Sequence, residues 1–286
     1  MEWSRIEVVV SSSTLEYLLC ALVDESVGAI LEEDLPDAQT RLIFAVPDGH
    51  DAGALVNRLG VFLSSRGQQS DIQIRTAREP DWSQAWKSSF HPICISEGFW
   101  VRPSWETLPA EATGIEIEID PGKAFGVGSH ETTRLCLRAL KRLSEERPLG
   151  SILDVETGSG ILAIAAARLG ANAVTAIDTD RFATEAAAEN ILRNRVGDVV
   201  SLSPVLLQDL DECYDVVIAN LTAADLTALA SPLCARAARH GALVLSGILA
   251  GEQADEVQDQ FAQRGFPEAS TEVEGEWAVV VLRRGE

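Results

Sequence analysis

The chain predicts an α/β protein: a doubly wound, largely parallel sheet over residues 119–286, preceded by a small α+β domain over residues 1–75. Two observations carry this. From about residue 119, apolar strand-like segments alternate with helical ones, the pattern of a sheet covered on both faces. Four turns rich in glycine and acidic residues also follow in one order: DPGKAFGVGSHETT (120–133), LDVETGSGILAIAA (153–166), AIDTD (176–180) and VIANL (217–221). Each turn follows or faces an apolar segment, so all can gather at one edge of one sheet.

In chain order, Trp3–Val10 reads as a strand and Thr14–Val23 as a helix with apolar residues at helical spacing. Gly28–Glu32 and Thr40–Val46 read as strands, Asp51–Arg66 as an amphipathic helix closed by Gly67, and Asp71–Arg75 as a last strand. That order matches a split βαβ, ferredoxin-like plan. The unit has no glycine-rich phosphate loop and no clustered nucleophile, which suits a recognition module. Residues 76–118 read as a connector holding Trp82, Trp86, Trp100 and Trp105, with a packed bridge favoured over a substrate groove because tryptophan buries large area wherever it sits. Beyond it, strands are expected at Ser151–Val155, Ala173–Asp178, Val199–Val205, Tyr214–Asn220 and Ala242–Ile248. Helices fill the gaps at Ile161–Leu169, Arg181–Arg193, Leu226–Ala238 and Glu252–Arg264, and a strand pair closes the chain at Ala269–Val273 and Trp277–Arg283.

Composition narrows the function. A 46% hydrophobic and 23% charged chain is globular, and no apolar run reaches the ~18 residues of a membrane span. The start, MEWSRIEVVV, lacks the basic and apolar segments of a secretion signal, so a cytoplasmic location is expected. Five scattered cysteines and four histidines show no metal-ligand spacing, so no metal is expected. A net charge of −21 argues against direct nucleic-acid binding and suits either solubility or a basic partner. Residues 1–70 hold 11 acids against 4 bases, so the N-terminal unit shares that bias.

The turns carry the chemistry. After Ile152–Val155, the run Glu156-Thr157-Gly158-Ser159-Gly160 opens an Ala/Ile-rich helix, aiming unsatisfied N–H groups at whatever lies above. Gly158 and Gly160 let a ligand approach the backbone, and a D-x-x-x-G-x-G frame suits S-adenosylmethionine better than a dinucleotide, whose third fingerprint glycine is absent. Asp178, 20 residues after Gly158, is placed to bind ribose hydroxyls, and Asp180 suits a helix N-cap. Asp209 follows the third strand and is either an adenine contact or a plain surface acid. Asn220 ends the fourth strand, where its oxygen can accept an amine N–H and orient the lone pair for in-line methyl transfer; capping the next helix is the competing role. In the 120–133 loop, Phe125 is a candidate pocket wall and Thr132 and Thr133 offer hydroxyls at a helix start. His130 fits a structural hydrogen-bonder better than a base, since amine methylation needs mainly a neutral, desolvated nucleophile.

Together these residues resemble the ribosomal protein L-eleven methyltransferase family (PrmA), class I S-adenosylmethionine enzymes. The resemblance rests on the DPG-AFG-G-H-TT loop (120–133), DW-x-x-AWK (81–87), GSGILAIAA (158–166), Glu189 with Asn190 and Asn194, and Asn220-Leu221. It implies a Rossmann-like methyltransferase sheet, an N-terminal domain that recognises the basic ribosomal protein, and a flexible linker. It also implies methylation of lysine ε-amines and the N-terminal α-amine, with cofactor positions at Thr133, Glu156, Asp178 and Asn220. One residue departs: the family's DVGxGSG has glycine where Glu156 stands. A left-handed backbone there costs a non-glycine residue ~1–2 kcal/mol. A carboxylate ~5 Å from the cofactor's own would add roughly 3 kcal/mol of repulsion at an effective dielectric of 20. A side chain turned to solvent or to the sulfonium removes that second penalty. The chain therefore reads as a monomeric protein methyltransferase in which Asn220, Phe125 and Thr132 receive the amine. The alternatives are a methyltransferase for another protein's lysines, or a binding protein that Glu156 has made non-catalytic.

Overall fold

The computed structural model describes residues 2–11, 18, 22, 30–35, 39–47, 51–64, 72–78, 90–120, 126 and 128–285. The chain divides into two compact units, Met1–Ser89 and Phe90–Glu286.

In the first unit, β1 (Glu2–Ser11), β2 (Ile30–Leu35), β3 (Gln39–Pro47) and β4 (Ile72–Arg78) form an antiparallel sheet in the order β2-β3-β1-β4, with α1 spanning Ala52–Ser64. This is the split βαβ order. Alternation explains its core: Ile6, Val8 and Val10 of β1 share one face with Leu42, Phe44 and Val46 of β3. Leu55, Leu59 and Leu63, four residues apart on α1, cover that face. Of the helix expected at Thr14–Val23, Leu18 and Leu22 are helical and join the same core; its other residues lie outside the described ones.

The second unit begins with a three-stranded sheet, β5 (Ile93–Ser96), β6 (Phe99–Arg102) and β7 (Ile115–Glu118). The expected connector, 76–118, thus holds the end of β4 as far as Arg78, beyond the expected end at Arg75, and regular structure again from residue 93 onward, while Trp82 and Trp86 lie outside the described residues. The period-two pattern is visible in hindsight: Ile95, Phe99, Val101 and Ile117 enter the main core.

The remaining elements are α2 (Glu131–Glu146), β8 (Ser151–Val155), α3 (Ile161–Arg168), β9 (Ala173–Ile177), α4 (Arg181–Arg193), β10 (Val200–Ser203), β11 (Tyr214–Asn220), α5 (Ala223–Ala228), α6 (Ala230–Arg236), β12 (Ala237–Leu249), α7 (Glu252–Ala262), β13 (Glu268–Glu274) and β14 (Trp277–Arg283). They build a seven-stranded sheet in the order β10-β9-β8-β11-β12-β14-β13. The first five strands are parallel and the last two antiparallel. Both faces are buried at the central strands β8, β11, β12 and β14, which therefore hold continuous apolar runs, whereas the edge strand β13 is mostly exposed. Ile152, Val216, Ile218, Val244, Val279 and Val281 pack on the α2–α3 side. Their chain neighbours Leu153, Val217, Ala219, Leu245, Val280 and Leu282 pack on the side of α5, α6 and α7. The single helix expected at Leu226–Ala238 is split at Leu229 (φ −93°, ψ 5°). Pro232 lacks the N–H that would continue α5 but is tolerated in the first turn of α6.

Candidate functional site

The strand order reverses direction at β8, between β9 and β11, and a crevice forms beyond the strand ends at such a switch point. A cleft of about 300 Å³ lies there, lined by Gly126, Thr133, Glu156, Thr157, Gly158, Ile161, Leu162, Asp178, Asp180, Ala183, Asn220 and Leu221.

The turn after β8 is held by its neighbours. Thr157 N–H donates to Ile177 O (2.9 Å), and Gly158 N–H donates to Asp178 Oδ2 (2.9 Å). The other oxygen of Asp178 accepts Asp180 N–H (2.9 Å). This carboxylate, 4% exposed, therefore ties the glycine turn to the start of α4. Asp180 caps α4 by accepting Phe182 N–H, as its position implied. Below the turn, Asp154 Oδ2 accepts Thr157 Oγ1–H (2.5 Å) and Ala163 N–H (3.1 Å), while Oδ1 is buried without a partner.

Glu156 adopts the left-handed backbone its family glycine suggested, with φ +54°. Its exposed side chain lines the cleft. Partial burial, followed by the charge of Asp178, a hydrogen bond to it, and the charges of Asp225 and Asp180, holds its carboxyl above the ordinary range.

Of the residues expected to bind cofactor, Thr133, Glu156, Gly158, Asp178 and Asn220 meet on the cleft. Gly160 is not among that lining: its backbone is left-handed (φ +82°) and a Cβ there would stand 3.2 Å from Ala187 Cβ, so turn conformation and close packing of α3 on α4 both call for glycine. Asp209 sits exposed in a one-turn helix at Leu207–Asp209, outside the cleft lining. Thr132 is turned away too, its hydroxyl bonded to His130 Nδ1 (2.8 Å). His130 caps α2, accepting Thr132 N–H, which is a structural role. The Thr133 hydroxyl, in contrast, is buried on the cleft wall with no hydrogen-bond partner. Phe125 lies outside the described residues. The capping role that competed for Asn220 belongs to Thr222, whose Oγ1 accepts Asp225 N–H. Sequence reasoning missed Ile161, Leu162 and Ala183, whose apolar periodicity signals core and not pocket, and Gly126, legible only as one glycine among several in the 120–133 loop. Among the described residues no group of three His, Cys, Asp or Glu side chains is arranged to hold a metal. No described helix is long and apolar enough to cross a membrane.

Burial pushes the Asp154 carboxyl up to about 7, against the two hydrogen bonds that lower it. The folded state therefore holds this proton more tightly than the unfolded chain does. Its destabilising charge develops as pH rises from about 4 to about 7 and is constant above that. The stability of Asp154→Asn minus that of the parent should rise across this window and level off beyond it. Urea denaturation at several pH values checks this, and a difference flat in pH would refute the burial argument.

Comparison with known proteins agrees with this architecture. The family model described as ribosomal protein L11 methyltransferase (PrmA) matches residues 7–285. A ribosomal protein L11 methyltransferase of Geotalea daltonii is 36% identical, covering 99% of this chain and 98% of its own. One of Listeria welshimeri is 37% identical, covering 100% and 99%. The crystal structure of a ribosomal protein L11 methylase from Lactobacillus delbrueckii subsp. bulgaricus is 33% identical, with a TM-score of 0.63, covering 69% of this chain and all of that one. Since the match spans both units, and not the sheet alone, the chain belongs to the ribosomal protein L11 methyltransferase (PrmA) family.

Proposed function

We propose that the cleft binds S-adenosylmethionine and that the chain methylates lysine ε-amines and the N-terminal α-amine of ribosomal protein L11. The meeting of Thr133, Glu156, Gly158, Asp178 and Asn220 on one cleft at the switch point carries this reading. The residues present suit the cofactor. A buried hydroxyl without a partner, as on Thr133, is costly unless a ligand fills it. Asp178 uses two of its roughly four lone-pair positions on backbone N–H groups and a third toward Glu156, and a ribose diol would compete with Glu156 for what remains. Ile161, Leu162 and Ala183 supply apolar wall for a flat base. Glu156, with Asp178, Asp180 and Asp225 around it, makes the cleft negative, which favours a ligand carrying sulfonium and ammonium charges.

When bound, the cofactor supplies a methyl group on a positively charged sulfur. The chain's own part is placement and exclusion of water. Asn220, free of the helix cap, offers Oδ1 to an amine N–H and so directs the nitrogen lone pair along the cleft. The acidic first unit is inferred to dock the basic substrate protein. The net charge of −21 supports action on protein and not directly on nucleic acid, and we infer a cytoplasmic monomer.

The test is titration of the purified protein with S-adenosylmethionine and mass spectrometry of L11 after incubation with both. Binding on the order of micromolar and added methyl masses on L11 are expected. Asn220→Ala should lower kcat by about a hundredfold, more than it weakens cofactor binding, since Asn220 lines the cleft but acts mainly on the amine. No binding up to millimolar cofactor, or methylation of other proteins in place of L11, would overturn the assignment.

A further inference from the structure

The glycine turn of the cleft is tied from behind to a buried polar pair at the C-terminal end of α4, Asn190 within the helix and Asn194 as its C-cap. Asn190 and Asn194, one turn apart and each 2% exposed, bond almost entirely to other segments. Asn194 Oδ1 accepts Glu118 N–H (3.0 Å), and its Nδ2 donates to Glu118 O (2.6 Å) and to Asn190 O (2.9 Å). Asn190 Oδ1 accepts Asp120 N–H (3.3 Å), and its Nδ2 donates to Ser159 O (2.9 Å) in the glycine turn. Ser159, itself 1% exposed, donates its hydroxyl to Gly126 O. Arg193 adds an ion pair to the Asp120 carboxylate (3.1 Å).

The consequence lies in what these bonds share. Asp120 and Gly126 bracket residues 121–125, and both are fastened to one residue of the turn: Gly126 directly through the Ser159 hydroxyl, Asp120 through Asn190 on the Ser159 carbonyl. Gly126 is cleft wall, and a Cβ on it would stand 3.2 Å from Ser159 Oγ, so wall and turn are in close register. A buried amide bonded on both its ends has one arrangement, and breaking it leaves polar groups unsatisfied. We propose that Asn190 and Ser159 are positioning residues that set the spacing between Gly126 and the glycine turn, keeping the cleft preformed for its ligand. This rests on the reading of the cleft as the S-adenosylmethionine site. Without the staple the competent arrangement is only partly populated, and apparent affinity falls by that fraction.

The test uses the full-length protein with Ser159→Ala, Asn190→Ala and the double variant. Calorimetric titration gives the Kd for S-adenosylmethionine, steady-state kinetics give KM for cofactor and for L11, and a thermal melt reports folding. Ser159→Ala keeps the carbonyl that Asn190 holds, so it tests the staple even where Asn190→Ala does not fold. Each single variant is expected to weaken cofactor binding about tenfold. The KM for cofactor should rise while that for L11 stays put. The double variant should be little worse than the weaker-binding single, because Asn190 and Ser159 are bonded to each other and belong to one network. If the parent protein binds no cofactor, the cleft assignment fails before this question arises. If the parent binds and Ser159→Ala binds equally well, or if the losses add in full, or if both KM values rise together with a lowered melting point, the pair is merely structural and the proposal is wrong.

Discussion

Replacing Asp178 with alanine weakens S-adenosylmethionine binding by about a hundredfold, the equivalent of two charge-assisted hydrogen bonds at about 1.5 kcal/mol each. The expectation follows from what this carboxylate does on both sides. It accepts Gly158 N–H and Asp180 N–H at 2.9 Å each, locking the glycine turn to the cap of α4, and it lines the cleft beside Glu156, with which it shares a further hydrogen bond. Alanine removes the ligand contacts and also strands two N–H groups in a site where the side chain was 4% exposed. Asparagine retains one accepting oxygen, so Asp178→Asn should lose about tenfold and fall between the two. Equilibrium titration of all three proteins decides it. Affinities within threefold of one another would mean that the ribose lies elsewhere.

Replacing Glu156 with glycine should stabilise the fold by about 1 kcal/mol and change which ligand the cleft prefers. The backbone there has φ +54°, which glycine adopts without strain and glutamate does not. The side chain adds a second, separable effect. Partial burial and then Asp178, Asp225 and Asp180 raise its carboxyl above the ordinary range, so its ionised form is unfavourable in the folded state. That unfavourable effect is present above the folded-state titration and is relieved as pH falls through it. The advantage of Glu156→Gly should accordingly shrink in acid, and what survives at low pH is the backbone strain alone. For ligands, the informative quantity is the ratio of Kd values for S-adenosylhomocysteine and S-adenosylmethionine. The two share every group except the sulfonium methyl, so repulsion of their common carboxylate cancels. Loss of the Glu156 charge should reduce the preference for the sulfonium form about fivefold, the size of a 1 kcal/mol attraction screened by water. An unchanged ratio would show that the carboxylate does not sense the sulfonium, and an unchanged stability would show that the turn accommodates glutamate freely.

Much of the site was legible because parallel strands buried on both faces read as continuous apolar runs, and the turns that follow them must then share one sheet edge. Gly158, Asp178 and Asn220 were placed on the cleft from that argument alone, and the structure brings them together there. Where the reading went astray, side-chain direction was at stake. Thr132 and Thr133 are neighbours of identical chemistry, yet only the rotation of α2 and its His130 cap decide that one hydroxyl is spent on the cap and the other is buried unpartnered within the cleft wall. Gly160 looked like a ligand-facing glycine and is a packing one, because α4 runs against it through Ala187. The strands of residues 93–118 were obscured by their aromatic content, which suggested a bridge before it suggested period two.

The amino-acid pattern by itself thus determined the strand–helix alternation, the acidic and glycine turns, and the one residue out of keeping with its family, since periodicity and turn chemistry are local properties. Tertiary structure alone decided which polar atoms face the cleft and which serve as braces: the buried amides of Asn190 and Asn194, the tie from Ser159 to Gly126, and the divided duty of Asp178. Those choices join residues 20 to more than 70 positions apart, and only packing of one element on another brings such groups within hydrogen-bond reach.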